Sequence, residues 1–168
     1  NVFNKEGKAA PSVPSMEQSP AVDVFGVGFS DGTIILLNLK LDKVLFSFKQ
    51  DGGSVTSLSF RTDSGAQTFP YLASGSADGR VHLWNLGTRA DPEDTDQEDE
   101  EDVQRGPRLE RKLQFSMDEA HRGRVGRVHF LHGEPILVTV AEDNTIKMWI
   151  FDAPDGTARL LRSREGHN

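Results

Sequence analysis

The chain has 168 residues, 36% of them hydrophobic, and a formal net charge of -7. That length accommodates one ordinary domain with a real core, but the hydrophobic share lies below the usual globular level, so part of the chain is expected to stay unstructured. With no cysteine, a disulfide framework, a Cys-ligated zinc site and a thiol nucleophile are all excluded. No apolar run approaches the roughly eighteen residues that span a bilayer, and no charged-then-apolar leader opens the chain, so a soluble, intracellular protein is expected.

The charge is concentrated in one place. Nine of the twelve residues from Asp91 to Asp102 are Asp or Glu, and without them 17 acids face 19 bases, so the remainder is weakly basic. The chain starts at Asn1 rather than Met and stops at His167-Asn168, where a further repeat is due; such ends are expected of a piece of a longer protein.

Taken in chain order, residues 1–20 mix Pro, Ser, Lys and Glu without periodicity and are expected to be a disordered linker or loop, with order starting near Ala21. The same short pattern then recurs three times, as VDVFGVGFSDGTIILLNL (22–39), YLASGSADGRVHLWNL (71–86) and PILVTVAEDNTIKMWIFD (135–152). Each reads as an apolar strand, a two-residue turn and a second apolar strand. The turns Asp31-Gly32, Asp78-Gly79 and Asp143-Asn144 align without gaps in the residues that follow them. Asp-Gly and Asp-Asn pairs suit type I′ hairpins, because Gly and Asn best tolerate positive φ. Six residues after each Asp comes Leu37, Trp84 or Trp149.

The Asp residues are 47 and then 65 positions apart; an insertion of about 20 residues around the acidic stretch brings both spacings near the period of a four-stranded propeller blade. Before the second and third hairpins, SVTSLSFR (54–61) and RVGRVHFL (124–131) alternate apolar positions and are expected to be innermost strands. After the hairpins, KVLFSFKQ (43–50), RKLQFSM (111–117) and ARLLRSRE (158–165) supply the outer strands, and no helix is required. The expected fold is all-β, about three consecutive four-stranded blades, with Trp84, Trp149, Phe60 and Phe130 in cores between blades.

The turn Asp, the Trp six residues on, and an Ala-His pair before an inner strand resemble the WD repeat. The resemblance implies that His121, Thr139, Asp143 and Trp149 form the family's structural tetrad, in which Asp holds His, and His reaches the strand hydroxyl and then the indole. The second unit keeps Ser74, Asp78 and Trp84 but is expected to place Asp51 where the His would stand. The first has Val27 and Leu37 in place of hydroxyl and indole.

The stretches QSPAVDVFGVGFSDG, VTSLSFRTD and EPILVTVAEDNTIKMWIFDAPDG further resemble the tandem-propeller WD-repeat subunits of the small-subunit processome, over roughly residues 18–168. That likeness implies a nucleolar, non-catalytic scaffold of the UTP-B subcomplex acting in pre-18S rRNA processing. Its implied partners are other WD-repeat processome subunits, with candidate contact to pre-rRNA or small nucleolar RNA. The alternative is a WD-repeat adaptor that reads a peptide, as in a ubiquitin ligase.

Other motifs weigh less. GVGFSDG (26–32) looks like a dinucleotide loop, but its glycines lead into a strand rather than a helix N-terminus. His129 and His132 fall on opposite faces of an extended strand and cannot share an ion, and His82 has no carboxylate partner in view. No nucleophile elbow or paired-carboxylate motif is present, so no enzyme, cofactor, metal, small-molecule substrate or membrane partner is expected. Arg122, Arg124 and Arg127 around an inner strand, and Arg159, Arg162 and Arg164 along an outer one, are candidate contacts for RNA phosphate or a partner protein. The aromatic interleaving of a base-stacking platform is missing, which favours protein. The expected division is a linker (1–20), an incomplete, degenerate blade (21–50), a blade (51–121) with acidic insert 88–107, and a blade with the start of the next repeat (122–168).

Overall fold

The computed structural model describes residues 10–20, 22–62, 71–86, 112–152 and 157–166. The acidic insert lies outside them. Twelve strands form three antiparallel four-stranded sheets, and no helix occurs among the described residues. The first sheet contains β1 (Ser15–Gln18), β2 (Val24–Gly28), β3 (Thr33–Asn38) and β4 (Lys43–Lys49); the second β5 (Val55–Phe60), β6 (Tyr71–Ser76), β7 (Val81–Asn85) and β8 (Lys112–Met117). The third contains β9 (Val125–Phe130), β10 (Ile136–Ala141), β11 (Thr145–Ile150) and β12 (Arg159–Glu165). In each sheet the strands are ordered as in the sequence, so consecutive strands are antiparallel neighbours.

The first sheet departs from expectation at its inner edge. Residues 15–18 are not linker: they pair with β2, Ser15 opposite Gly28 and Gln18 opposite Phe25, and complete a four-stranded blade where the sequence predicts an incomplete one. The Ser15 hydroxyl donates to the Val55 carbonyl at 3.1 Å, tying this strand to the next sheet. SMEQ is held by backbone and hydroxyl bonds and has no buried apolar side chain, so it leaves no period-two signal.

The hairpins differ in detail too. Positive φ falls on Gly32 (88°), Gly79 (95°) and Asn144 (59°), but not on the Asp before each. Gly32 N donates to Phe29 O at 3.2 Å and Phe29 N to Thr33 O at 2.8 Å, which closes a three-residue loop of type I plus bulge rather than a two-residue type I′ turn. The Asp carboxylate holds the loop from within, since the amides of Thr33, Arg80 and Thr145 donate to Asp31, Asp78 and Asp143 Oδ1 at 3.0, 3.2 and 3.1 Å. Asp is favoured there because a carboxylate accepts the amide two residues on.

Neighbouring sheets meet face to face. One core joins Ile34, Leu36 and Phe48 of the first sheet to Leu58, Phe60 and Trp84 of the second; another joins Ala73, Leu83 and Met117 of the second to Val128, Phe130 and Leu137 of the third. Phe48 and Trp84 lie 4.7 Å apart between ring centroids. Along the inner edge, serines at period two bind the next blade's backbone: Val128 N donates to Ser57 Oγ at 3.1 Å and Phe130 N to Ser59 Oγ at 3.0 Å. A bulge recurs between Leu36/Leu37, Leu83/Trp84 and Met148/Trp149, setting the position six residues after each Asp.

Two glycines fix how closely the sheets approach. A Cβ on Gly28 would lie 2.4 Å from Val55 Cγ1, and one on Gly75 would lie 2.7 Å from Val125 Cγ1. Gly75→Ala therefore forces the second and third inner strands apart, at a cost of about 1–3 kcal/mol. Denaturant unfolding of the protein carrying the complete ring checks this; an unchanged midpoint would show that the seam is looser than described.

Candidate functional site

The most complete polar constellation among the described residues lies at the turn end of the third sheet. His121, between β8 and β9, is 5% exposed, and Thr139 on β10 is fully buried. His121 Nδ1 faces Asp143 Oδ2 at 3.2 Å and Thr145 Oγ1 at 2.8 Å, while His121 Nε2 lies 2.7 Å from Thr139 Oγ1. Trp149 Nε1 donates to that same Thr139 hydroxyl at 2.9 Å.

Donor counting fixes the direction of the chain. Thr145 gives its proton to Asp143 Oδ1 at 2.7 Å, so it can only accept from His121. Nδ1 then carries the imidazole proton, and Nε2 accepts from Thr139, whose oxygen accepts from the indole. Every proton points from Trp149 through Thr139 and His121 toward Asp143. The Arg122 amide adds a donor to Asp143 Oδ2 at 2.9 Å.

The protonation states agree. Burial pushes the His121 pKa below its ordinary value, against the pull of Asp143, and keeps the ring neutral. Desolvation opposes the Asp143 charge, but the Thr145 hydroxyl, the Arg122 and Thr145 amides and His121 outweigh it and hold that carboxyl far below the usual carboxylate range. A buried polar chain with every donor placed specifies one arrangement of its sheet.

The second sheet keeps half of this. Trp84 Nε1 donates to Ser74 Oγ at 2.8 Å, and Ser76 Oγ donates to Asp78. The residue in the backbone place of His121 is Gln50, not Asp51: Gln50 N donates to the Gly32 carbonyl just as His121 N donates to that of Gly79. The link into β5 is one residue longer than the link into β9, which shifts the alignment read from sequence. Gln50 is buried, and its amide reaches the Gly53, Ser54 and Gly75 carbonyls rather than Asp78. His82 fills the space beside it, with Nε2 3.1 Å from the Asp51 carbonyl and Nδ1 3.2 Å from Ser116 Oγ. Burial lowers its pKa as well. The first sheet has no relay, since Val27 and Leu37 join Phe29 and Ile35 in an apolar cluster.

The six candidate arginines do not form one patch. Arg122 is exposed beside Asp143, and Arg124 Nε faces Glu142 at 3.9 Å. Arg127 lines a concavity between inner strands with Glu17 and Ser57. Arg159 is engaged at the other end of the sheet, 2.6 Å from Asp152. Arg162 and Arg164 lie exposed on β12. Among the described residues no group of three or more His, Cys, Asp or Glu side chains could hold a metal ion. His132 Nδ1 faces Thr62 Oγ1 at 3.3 Å, and His129 is exposed on β9.

The sheet topology agrees with the known proteins this chain is similar to. A family described as the WDR36/Utp21 first beta-propeller matches residues 2–152. The chain belongs to that family. It is 40% identical over 156 residues to the human WD repeat-containing protein 36, covering 93% of this chain and 14% of that protein. It is 39% identical over 155 residues to the U3 small nucleolar RNA-associated protein 21 homolog of Schizosaccharomyces pombe, covering 92% of this chain and 14% of that protein. The chain thus spans about one seventh of these relatives. In fold it is similar to a crystal structure of RRP9 WD40 repeats, with a TM-score of 0.64 at 15% identity, over 96% of this chain and 41% of that one.

Within this WDR36/Utp21 propeller segment, Thr139 and Ser74 separate the relay from its remnant. Thr139→Val strands both the Trp149 indole and His121 Nε2 in a buried site, and costs about 2–3 kcal/mol; Ser74→Ala strands one indole and costs about 1 kcal/mol. Equal losses in denaturant unfolding would contradict the shared hydroxyl.

The pH dependence has a definite sign. Unfolding releases His121 to its ordinary value of 6.5, so the unfolded chain takes up a proton that the folded chain refuses. This part of the stability is complete above pH 6.5 and falls as pH drops through that value. Asp143 contributes in the same sense below its unfolded value of 3.8. His82 titrates in the same direction as His121, so His121→Gln flattens the fall in unfolding midpoint between pH 7 and 5 only in part; a steeper fall would mean that His121 is charged when folded.

Proposed function

We propose that this propeller segment belongs to a non-catalytic scaffold of the small-subunit processome, acting in the nucleolus in pre-18S rRNA processing. The observation that carries the reading is membership of the WDR36/Utp21 family, together with a relative named for its association with U3 small nucleolar RNA. The chemistry of the described residues supports it: His121 and Asp143 serve a buried structural relay, and His82 is enclosed by its own sheet. Such a segment offers surfaces rather than reacting atoms. Its partners in this reading are other WD-repeat processome subunits, with pre-rRNA or small nucleolar RNA as a candidate second contact through the separate arginines. Because those arginines are dispersed and two of them already face carboxylates, Arg159 at Asp152 and Arg124 at Glu142, protein contact outweighs RNA contact.

The experiment is gradient sedimentation of the tagged full-length protein from cells, with U3 RNA and pre-18S rRNA read in each fraction. The expected result is co-sedimentation with both in a particle far larger than the protein, and accumulation of unprocessed pre-18S rRNA when the protein is depleted. A protein that sediments free of both RNAs, with a peptide held at the ring's central opening, would contradict the reading and favour a peptide-recognition adaptor.

A further inference from the structure

Residues paired directly across an antiparallel ladder share a face, so register shows which side chains the third sheet turns away from the second. They are Val138 and Val140 of β10, Ile146 and Met148 of β11, and Arg162 and Arg164 of β12. Val140, Ile146 and both arginines are exposed. No ion pair joins Arg162 or Arg164 to another described residue.

The same positions in the first two sheets are buried at seams and differ in two ways. Opposite Leu36 and Ile34 stand Phe46 and Phe48, and opposite Leu83 and Val81 stand Phe115 and Met117; opposite Met148 and Ile146 stand Arg162 and Arg164. Three residues before each turn Asp are Gly28, Gly75 and then Val140. The two glycines admit Val55 and Val125 of the following inner strand. At the equivalent position Val140 carries a side chain, and it is exposed.

These two replacements specify what can seat here. At the first seam the following sheet sets an indole against the outer-strand pair, with Trp84 4.7 Å from Phe48; at the second, Trp149 and Phe115 both pack against the core that contains Met117. A guanidinium is planar and stacks on an aromatic face while its N–H edges keep water at the rim of the ring. The chain already uses that contact across a seam, where Arg61 Cζ of the second sheet lies 5.8 Å from the ring centroid of Phe151 in the third, and also within the second sheet, 5.5 Å from that of Tyr71.

We infer that the open face of the third sheet receives a further blade that presents an aromatic ring to Arg162 and Arg164 and a residue smaller than valine to Val140. This seam is closed by cation–π stacking instead of aromatic packing, and it rejects any blade whose inner strand carries valine as β5 and β9 do.

The test compares melting midpoints of the full-length protein and four variants. R162F/R164F, which copies the first sheet, is expected to stay within about 2 °C of the parent, because an aromatic partner accepts a phenyl ring as well. R162E/R164E is expected to lower the midpoint by about 4 °C or more, and V140G to lower it by about 3 °C by opening a gap. R164A, a milder change, is expected to show a smaller loss if the double glutamate variant fails to fold. The inference is overturned if R162F/R164F loses as much as R162E/R164E, which marks a carboxylate partner, or if V140G raises the midpoint, which marks a valine. It is equally overturned if R162E/R164E leaves the midpoint unchanged, whether RNA retention falls (a phosphate site) or a dilution-dependent dimer disappears (a second copy).

Discussion

The whole arrangement depends on sheets approaching each other closely enough for one blade's inner strand to enter the groove left by glycine in the blade before. Gly28 and Gly75 have no side chain because Val55 and Val125 occupy the space, and the Ser57 and Ser59 hydroxyls can reach the β9 amides only at that separation. The same approach brings Phe48 onto Trp84. A strand pair alone is marginal in water, and each blade turns two faces outward, so burial by neighbours supplies most of the stability.

The polar relay is subordinate to this packing, and its uneven quality follows from it. The third sheet carries it complete, the second keeps only the indole-to-hydroxyl bond and encloses Gln50 and His82, and the first replaces it with an apolar cluster. What all three retain is the Asp that accepts the amide two residues on. That local bond shapes the turn whether or not a histidine is present, which is why the Asp recurs where the rest of the set has been lost. Burial of His121 without charge is tolerated because its donor and acceptor are both matched.

Much of this was legible in the sequence. Asp31, Asp78 and Asp143 marked the three hairpins, and the alternating apolar residues of β5 and β9 marked inner strands, because Leu58 and Phe60, like Val128 and Phe130, alternate at period two with less apolar residues of the opposite face. The tetrad positions of the third sheet followed from resemblance to the WD repeat. Three features were hidden for physical reasons. β1 is polar and held by backbone pairing. The turns carry positive φ on one residue instead of two, a distinction that Asp-Gly alone does not encode. Gln50 stands in the histidine's place because the link is one residue longer, and spacing counted back from the inner strand pointed to Asp51. The arginines were visible as residues, but their dispersal among a turn, a concavity, an Asp152 pair and an outer face exists only in three dimensions.

The central claim is that consecutive sheets are held face to face, with a specific aromatic contact where the first meets the second. The most direct measurement is a double-mutant cycle of Phe48→Ala and Trp84→Ala in the protein carrying the complete ring, read by denaturant unfolding. The account predicts a favourable coupling of about 0.5–1.5 kcal/mol beyond the sum of the single losses; strictly additive losses would mean that the two rings do not meet.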